Sequence, residues 1–131
     1  MHEALAFAGE SKRGILGTIN ADGTPHLVPV FAAVKDNRLL VSTPSTTVKA
    51  RNIARDPRVT MAFGIRPWIA IAGTARILTD AVGDLPARLR EYYKLASGEH
   101  PDWDDYDRAM IREKRVLLEI TPERIYPTGD H

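Results

Sequence analysis

The stretch RGILGTINADGTPHLVPVFAAVKDNRLLVST (residues 13–43) decides the fold. It predicts three β-strands joined by two turns, because NADGT and KDNR are rich in residues that tolerate positive φ and hydrogen-bond their own backbone. Pro25 and Pro29 lie in the second of these strands, and proline cannot donate a ladder hydrogen bond. We therefore expect this strand to lie at a sheet edge or to carry a bulge.

The remaining sequence predicts more strands than helices. Further strands are expected at residues 58–65, 68–79 and 115–127, and helices at residues 3–9, 45–56, 84–97 and 102–114. Most neighbouring strands are joined by hairpins, which favours an antiparallel barrel with peripheral helices. Gly9 is expected to stop the first helix, and Gly73 indicates a bulge or bend in its strand. The chain has no internal repeat or linker, so residues 1–131 fit a single domain.

Composition excludes several classes of function. The chain has 18 basic and 17 acidic residues, so its net charge of +1 gives no general attraction to nucleic acid. It has no cysteine, which excludes disulfides and thiolate nucleophiles and agrees with a reducing cytosol. There is no apolar run of 18 residues, and residues 1–10 lack the pattern of a signal peptide. We expect a cytoplasmic protein that binds neither nucleic acid nor membrane.

A second stretch, STPSTTVKARNIARDP (residues 42–57), combines hydroxyl and basic side chains at a helix start. Unpaired backbone N–H groups at such a position attract anions. Four hydroxyl side chains can add donors: Thr43, Ser45, Thr46 and Thr47. Lys49 can reach back to an anion as a point charge. A plain cap, with Ser45 or Thr46 as the N-cap, followed by a solvated basic helix would account for the same residues.

The faces of this helix suggest different roles for its cations. Its narrow apolar face consists of Ala50, Ile53 and Ala54. The spacing i, i+4, i+7 places Arg51, Arg55 and Arg58 on one face, which we interpret as solvated. Lys49 shares another face with Asn52. We therefore expect Lys49 to have a different role from the arginines.

Other chemistry-bearing residues give weaker signals. The histidines are dispersed and predict no metal site: His2, His26, His100 and His131. The acid-rich residues 101–107 lack the EF-hand pattern and suit a helix N-terminus. No nucleophile elbow, dinucleotide fingerprint or P-loop occurs, so catalytic residues stay unknown. His26 is expected to be half-buried in its strand. Trp68 suits either core packing or a stacking surface for a planar ligand.

Three segments, in this order and spacing, resemble the flavin/deazaflavin split-barrel family within the pyridoxamine 5'-phosphate oxidase-like superfamily: GTINADGTPHLVPV, VSTPSTTVKARNIARDPRV and WIAIAGTARI. The resemblance runs from about residue 13 to residue 127. Its most specific part is Lys-x-x-Asn-hydrophobic-x-x-Asp-Pro-Arg, from Lys49 to Arg58. The segment from GEHPDWDDY to RVLLEITPERIY resembles the actinobacterial deazaflavin-dependent branch.

The resemblance implies a mainly β (α+β) fold, a six-stranded antiparallel split β-barrel of the FMN-binding type. It implies a homodimer with cofactor sites at the subunit interface. The cofactor phosphate would lie on the turn from Thr43 to Lys49, with Lys49 as its main charged partner. The planar ring would lie near His26, Pro29 and Val30. Three residues would reach the ring from the partner subunit: Trp68, Ile69 and Ala70.

The resemblance also implies an oxidoreductase that uses coenzyme F420, a deazaflavin, to transfer a hydride to or from a small conjugated organic acceptor. The cofactor supplies such chemistry, which agrees with the lack of a catalytic triad. Some relatives carry a second basic residue where this chain has Thr47, and Arg51 is a candidate substitute. The acidic tail of F420 would meet either the arginine face or Lys12 and Arg13.

Three alternatives keep the same fold. The chain could bind flavin mononucleotide (FMN) as a split-barrel oxidoreductase, or it could be a non-catalytic carrier of F420. Pyridoxamine-phosphate oxidation is disfavoured, because the long C-terminal substrate segment of those enzymes is not recognised.

Overall fold

A computed structural model describes residues 1–127. Its helices are α1 (His2–Ser11), α2 (Val48–Arg55), α3 (Leu85–Ser97) and α4 (Trp103–Arg112), with a 3-10 turn at Asp80–Val82. Its strands are β1 (Arg13–Ile19), β2 (Pro25–Phe31), β3 (Ala33–Lys35), β4 (Arg38–Pro44), β5 (Arg58–Gly64), β6 (Trp68–Leu78) and β7 (Arg115–Tyr126). No helix in this part of the chain has the length and apolar character needed to cross a membrane.

All the strands described belong to one antiparallel sheet in the order β2-β1-β5-β6-β7-β4-β3. β2 and β3 lie at opposite edges of this sheet, yet Ala32 alone separates them in the chain. The sheet must therefore curl until its two edges meet. Ala32 is fully buried at the corner, and its N–H donates to the carbonyl oxygen of Lys12 at 2.6 Å.

The expected antiparallel, mainly β fold with helices around it is confirmed, but the expected six strands are seven. The difference arises at Ala32, where the second strand bends and continues as the short strand β3. The prediction of an edge strand is confirmed, since β2 carries Pro25 and Pro29 and lies at one end of the sheet. The stop expected at Gly9 is wrong, because α1 continues to Ser11 and is followed by the C-cap residue Lys12, whose φ is 62°.

Two apolar clusters lie on opposite faces of the sheet. The first fills the curled interior, where α1 and α2 pack on the strands. The second lies outside, between the sheet and the helices α3 and α4. The adjacent residues Leu39 and Leu40 of β4 belong to different clusters, because successive strand side chains point to opposite faces. α3 and α4 therefore form an outer wall.

The predicted irregularity at Gly73 is confirmed as a shift in the β6–β7 register between Ala72 and Gly73. A Cβ atom at residue 73 would lie 2.0 Å from the carbonyl oxygen of Thr121. This glycine thus lets two backbones approach closely where the sheet bends.

Gly73→Ala should lower the free energy of unfolding by about 1–3 kcal/mol, because the backbone of β7 must move to admit the methyl group. Gly9→Ala is the matched control, since its Cβ would lie 3.6 Å from Val34, an ordinary contact, within a helix. Thermal unfolding measures both. Equal midpoints for wild type and Gly73→Ala would contradict this account of the bulge.

Candidate functional site

The turn that leads into α2 is fixed by two threonine hydroxyls. The N-cap is Thr47 rather than Ser45 or Thr46, and its Oγ1 accepts from the Ala50 N–H at 3.4 Å. The Thr47 hydroxyl also donates to the carbonyl oxygen of Pro44 at 3.1 Å, and it lies 2.9 Å from the hydroxyl of Thr43. Thr43 is fully buried. These contacts hold the first turn of α2 against the end of β4.

A buried amide anchors α2 to β1. Asn52 donates through Nδ2 to Thr18 Oγ1 and to Asn20 Oδ1, both at 3.0 Å. Arg55 donates to Asn52 Oδ1 and to the carbonyl oxygen of Ile19, both at 2.7 Å. The apolar face of this helix was expected to include Ala54. Ala54 is exposed, however, and Asn52 is the third buried residue of the helix. The inner face of α2 is therefore held by polar contacts as well as by Ala50 and Ile53.

The three arginines of this region are exposed, but they are not equivalent. Arg55 is committed to β1, so the interpretation of a simply solvated side chain is wrong for it. Arg58 pairs with Asp56 at 2.7 Å, and this hydrogen bond lowers the pKa of the Asp56 carboxyl to about 2. Arg51 is exposed, and its guanidinium makes no hydrogen bond or ion pair with the residues described. Arg51 is therefore the arginine with a guanidinium left for another molecule.

Lys49 is a half-buried cation without an anionic partner in residues 1–127. Burial lowers the pKa of its ammonium group, and the positive charge of Arg115 lowers it further. Arg115 itself donates to the Glu113 carboxylate at 2.9 and 3.0 Å and to the carbonyl oxygen of Ser42 at 3.4 Å. A cation that faces another cation in partial burial is unfavourable on its own, and a bound anion would relieve both costs.

The backbone supports the same anion position. The N–H groups of Val48 and Lys49, in the first turn of α2, have no acceptor among the described residues. Such groups carry the positive end of the helix dipole. Lys49, Arg115 and this turn form what we call the cationic corner.

The cationic corner lies in a cleft of about 500 Å³. Pro29, Val30 and Phe31, at the end of β2, form one side of this cleft. The opposite wall comes from α3, α4 and the loop between them. Its main residues are Tyr92, Tyr93, His100, Tyr106 and Met110. The Tyr92 hydroxyl donates to the carbonyl oxygen of Phe31 at 2.8 Å, which ties the wall to β2.

The structure brings some of the predicted site residues together in this cleft and separates others. Four of them line it: Pro29, Val30, Thr43 and Lys49. Thr47 serves as the helix cap, whereas Ser45 and Thr46 are exposed and do not line the cleft. His26 is half-buried, as expected, and its buried Nδ1 has no hydrogen-bond partner among the residues described; it does not line the cleft.

The predicted residues of β6 lie away from the cleft within one subunit. Trp68 is partly exposed and packs edge-on against Tyr126 at 6.2 Å between ring centroids. Ile69 packs on the interior cluster, and Ala70 is buried. Their expected approach to a ring from a partner subunit stays a prediction. Among residues 1–127 no group of three metal-ligating side chains lies together, and His131 is outside this range.

Sequence reasoning missed Arg115 and the wall of the cleft that α3, α4 and their connecting loop form. Arg115 pairs with Pro44 across β4 and β7, which brings it beside Lys49 from a distant part of the chain. Arg115 lines the cleft together with Lys49, whereas Arg51 does not line it. No local pattern indicates this, because the pairing of β4 with β7 has to be known first.

The outward side of β1 and β2 exposes large apolar side chains. Leu27 is 67% exposed, Phe31 51% and Ile15 40%. A shallow groove of about 300 Å³ is lined by Ile15 and Phe31, and it shares Pro29, Val30 and Phe31 with the cleft. Contiguous apolar surface of this kind marks an interaction site.

The chain belongs to the pyridoxamine 5'-phosphate oxidase family, whose model matches residues 1–129. The F420H(2)-dependent biliverdin reductase of Mycobacterium tuberculosis is 28% identical over 134 residues, which cover 98% of this chain and 88% of that protein. The structure of a conserved hypothetical protein of M. tuberculosis superposes with a TM-score of 0.74 at 28% identity, covering 95% and 81% of the two chains. The structure of a protein named F420 reductase shares the fold, with a TM-score of 0.71, 20% identity and coverage of 92% and 94%.

The lowered pKa of Lys49 predicts that this residue costs stability when no ligand is bound. The folded state disfavours the charged ammonium, so the cost is present at pH 7 and fades as the pH rises through the lowered folded pKa towards the unfolded value of about 10.4. Lys49→Met should therefore raise the unfolding midpoint at pH 7, and the gap to wild type should narrow towards pH 10.

Arg51→Met is the control, because it replaces another cation of α2 by the same residue on the exposed side of the helix. Thermal melts at several pH values measure the difference. A wild type that is more stable than Lys49→Met at pH 7 without ligand would contradict the account.

Proposed function

We propose that the protein is an F420-dependent oxidoreductase that transfers a hydride between reduced F420 and a small conjugated organic acceptor. The observation that carries this proposal is Lys49, a half-buried cation that faces Arg115 and has no anion of its own among the described residues. The M. tuberculosis relative named F420H(2)-dependent biliverdin reductase supports the choice of cofactor and of a conjugated acceptor.

The residues of the cationic corner suit the phosphate of such a cofactor. Lys49 and Arg115 would supply charge-assisted hydrogen bonds, and the free N–H groups at the start of α2 would add neutral ones. The buried hydroxyl of Thr43 keeps the turn in place through Thr47 and Pro44. When bound, the cofactor supplies the hydride chemistry.

The rest of the cleft would orient the cofactor and exclude water. Pro29 and Val30 present a rigid, largely apolar strand end along which a flat ring can lie. The described side chains in the cleft form no acid–base pair of the kind that drives hydrolysis, which suits a role in binding and orientation. The ring would also lie near His26, which does not itself line the cleft.

We further propose that the protein works as a homodimer in which a second copy covers the apolar face of β1 and β2. The exposure of Leu27, Phe31 and Ile15 supports this, and the shared β2 edge connects that face to the cleft. Trp68, Ile69 and Ala70 of the partner would then approach the ring. Stable interfaces of this kind bury more than about 2,000 Å².

FMN is the second candidate cofactor, because its phosphate would suit the same corner. The two differ beyond the phosphate, where F420 carries an acidic tail. Arg51 is available to meet that tail, while Arg55 and Arg58 are engaged elsewhere. Binding of F420 should therefore weaken with salt by several-fold more than binding of FMN, since exposed pairs are worth about 0–1 kcal/mol each and are screened.

Lys49→Met should weaken F420 binding by roughly 10- to 150-fold, because it removes a charge-assisted hydrogen bond worth about 1.5–3 kcal/mol. Arg58→Ala is the control and should leave the affinity nearly unchanged, since Arg58 is paired with Asp56. Fluorescence titration of F420 measures both. The same variant should be more stable and bind more weakly, which separates a binding role from damage to the fold.

Equal affinity of wild type and Lys49→Met for F420 would rule out Lys49 as the phosphate partner. Tighter binding of FMN than of F420 at both low and high salt would overturn the choice of cofactor. If F420 binds tightly but quinones, enones and tetrapyrroles do not oxidise its reduced form, the protein would be better explained as a non-catalytic carrier of F420.

Leu27→Asp should convert the protein from a dimer to a monomer and weaken F420 binding, because it places a charge in the middle of the proposed interface. Leu95→Asp is the control, since Leu95 is exposed on α3 outside that face. Light scattering at micromolar concentration measures the mass. A wild-type monomer in the presence of F420 would contradict the shared site.

A further inference from the structure

The wall of the cleft contains a histidine that is held rigidly by aromatic rings. His100 lies in the loop between α3 and α4, and its ring centroid is 5.1 Å from that of Tyr93, 5.6 Å from Trp103 and 5.4 Å from Tyr106. Tyr106 is itself fixed, because its hydroxyl donates to the carbonyl oxygen of Leu89 at 2.7 Å. The imidazole therefore has a defined orientation beside the cleft.

A backbone hydrogen bond sets the tautomer of His100. Its Nδ1 accepts from the N–H of Asp102 at 3.0 Å, so the proton of the neutral ring is on Nε2. Nε2 makes no hydrogen bond with any group in the described part of the chain, and the side chain is partly exposed among the cleft residues. The wall thus presents a fixed, unused N–H donor next to aromatic surface.

The cofactor proposed above would leave open the end of the cleft that is lined by His100 and the tyrosines of α3 and α4. Anchored at Lys49, it would follow β2, whose residues Pro29, Val30 and Phe31 also line the groove that leads to the apolar outer face. The residues that line this groove come from β1, β2 and β5, and none of them belongs to α3 or α4. A second molecule can therefore occupy the space between the cofactor and the aromatic wall.

We propose that this end of the cleft is the acceptor subsite and that the Nε2–H of His100 donates to a carbonyl oxygen of a flat conjugated acceptor. The inference rests on the proposed function and names the group that selects the acceptor. The half-buried ring of Tyr93, backed by the buried ring of Tyr106, supplies aromatic surface for a planar molecule, and His100 favours acceptors with an oxygen at the edge of the molecule. A hydrocarbon of the same shape gains the aromatic contact but not the hydrogen bond.

The test compares two ligands of similar shape, 2-methyl-1,4-naphthoquinone and 2-methylnaphthalene, by calorimetric titration into the protein with oxidised F420 present, so that no turnover occurs. His100→Phe keeps a ring in the aromatic cluster and removes the donor. His2→Phe is the control, because His2 is exposed on α1.

His100→Phe should weaken quinone binding by about 2- to 13-fold, the range of one neutral hydrogen bond. Binding of methylnaphthalene and of F420 should stay the same, and His2→Phe should change neither. Unchanged quinone affinity in His100→Phe would overturn the proposal, and an equal loss for both ligands would show that shape rather than the donor matters. A matching loss of F420 affinity would place His100 against the cofactor and also overturn it.

The two proposals fail in different ways. If wild type does not bind F420, the proposed function fails, while the quinone can still be titrated into the protein without cofactor. If F420 binds and the quinone affinity does not depend on His100, the subsite alone is wrong.

Discussion

The passage of the chain from one edge of the sheet to the other through Ala32 is the constraint on which the other features depend. One residue cannot span an open sheet of seven strands, so the sheet has to curl until β2 and β3 meet. Curling brings the end of β2 beside the end of β4, and residues of both strand ends line the cleft. The hydrogen bond from Tyr92 to Phe31 then fixes the outer helices to the same corner.

Inside that frame, the position of Lys49 is set by polar contacts that leave its charge without an anionic partner in residues 1–127. Thr47 caps α2, and Asn52 ties the next turn to β1, so Lys49 is held between them at the edge of the cleft. A protein gains no stability from a half-buried ammonium that faces Arg115. Sites that bind a ligand often carry such a cost, because the charge is arranged for a partner that is absent from the chain itself.

Much of this fold could be predicted from local sequence, because the responsible physics is local. Pro25 and Pro29 identify an edge strand by their missing donors, and Gly73 identifies a bulge. The bend at Ala32 could not be predicted, since alanine is not among the residues that favour turns and the bend arises from closure of the whole sheet. Similarly, Thr47 is the cap because its hydroxyl lies beside that of Thr43, which is a property of the folded turn.

The candidate site could be predicted in part, where its sequence signal is local. Lys49 is conspicuous because it lies at a helix start among hydroxyl residues. Arg115 and the wall of Tyr92 and His100 come from distant segments, and tertiary pairing alone places them in the cleft. The aromatic wall therefore belongs to the part of the site that a single sequence does not reveal.

The central claim is that Lys49 is a cation held for an anionic ligand, and its pKa tests this most directly. An NMR titration of labelled lysine side chains, with the Lys49 signal assigned from its loss in Lys49→Met, would follow the ammonium group with and without F420. The account predicts a pKa below the ordinary lysine value in the free protein and an upward shift when F420 binds, because the phosphate stabilises the charged form. An ordinary pKa in the free protein that F420 leaves unchanged would contradict it.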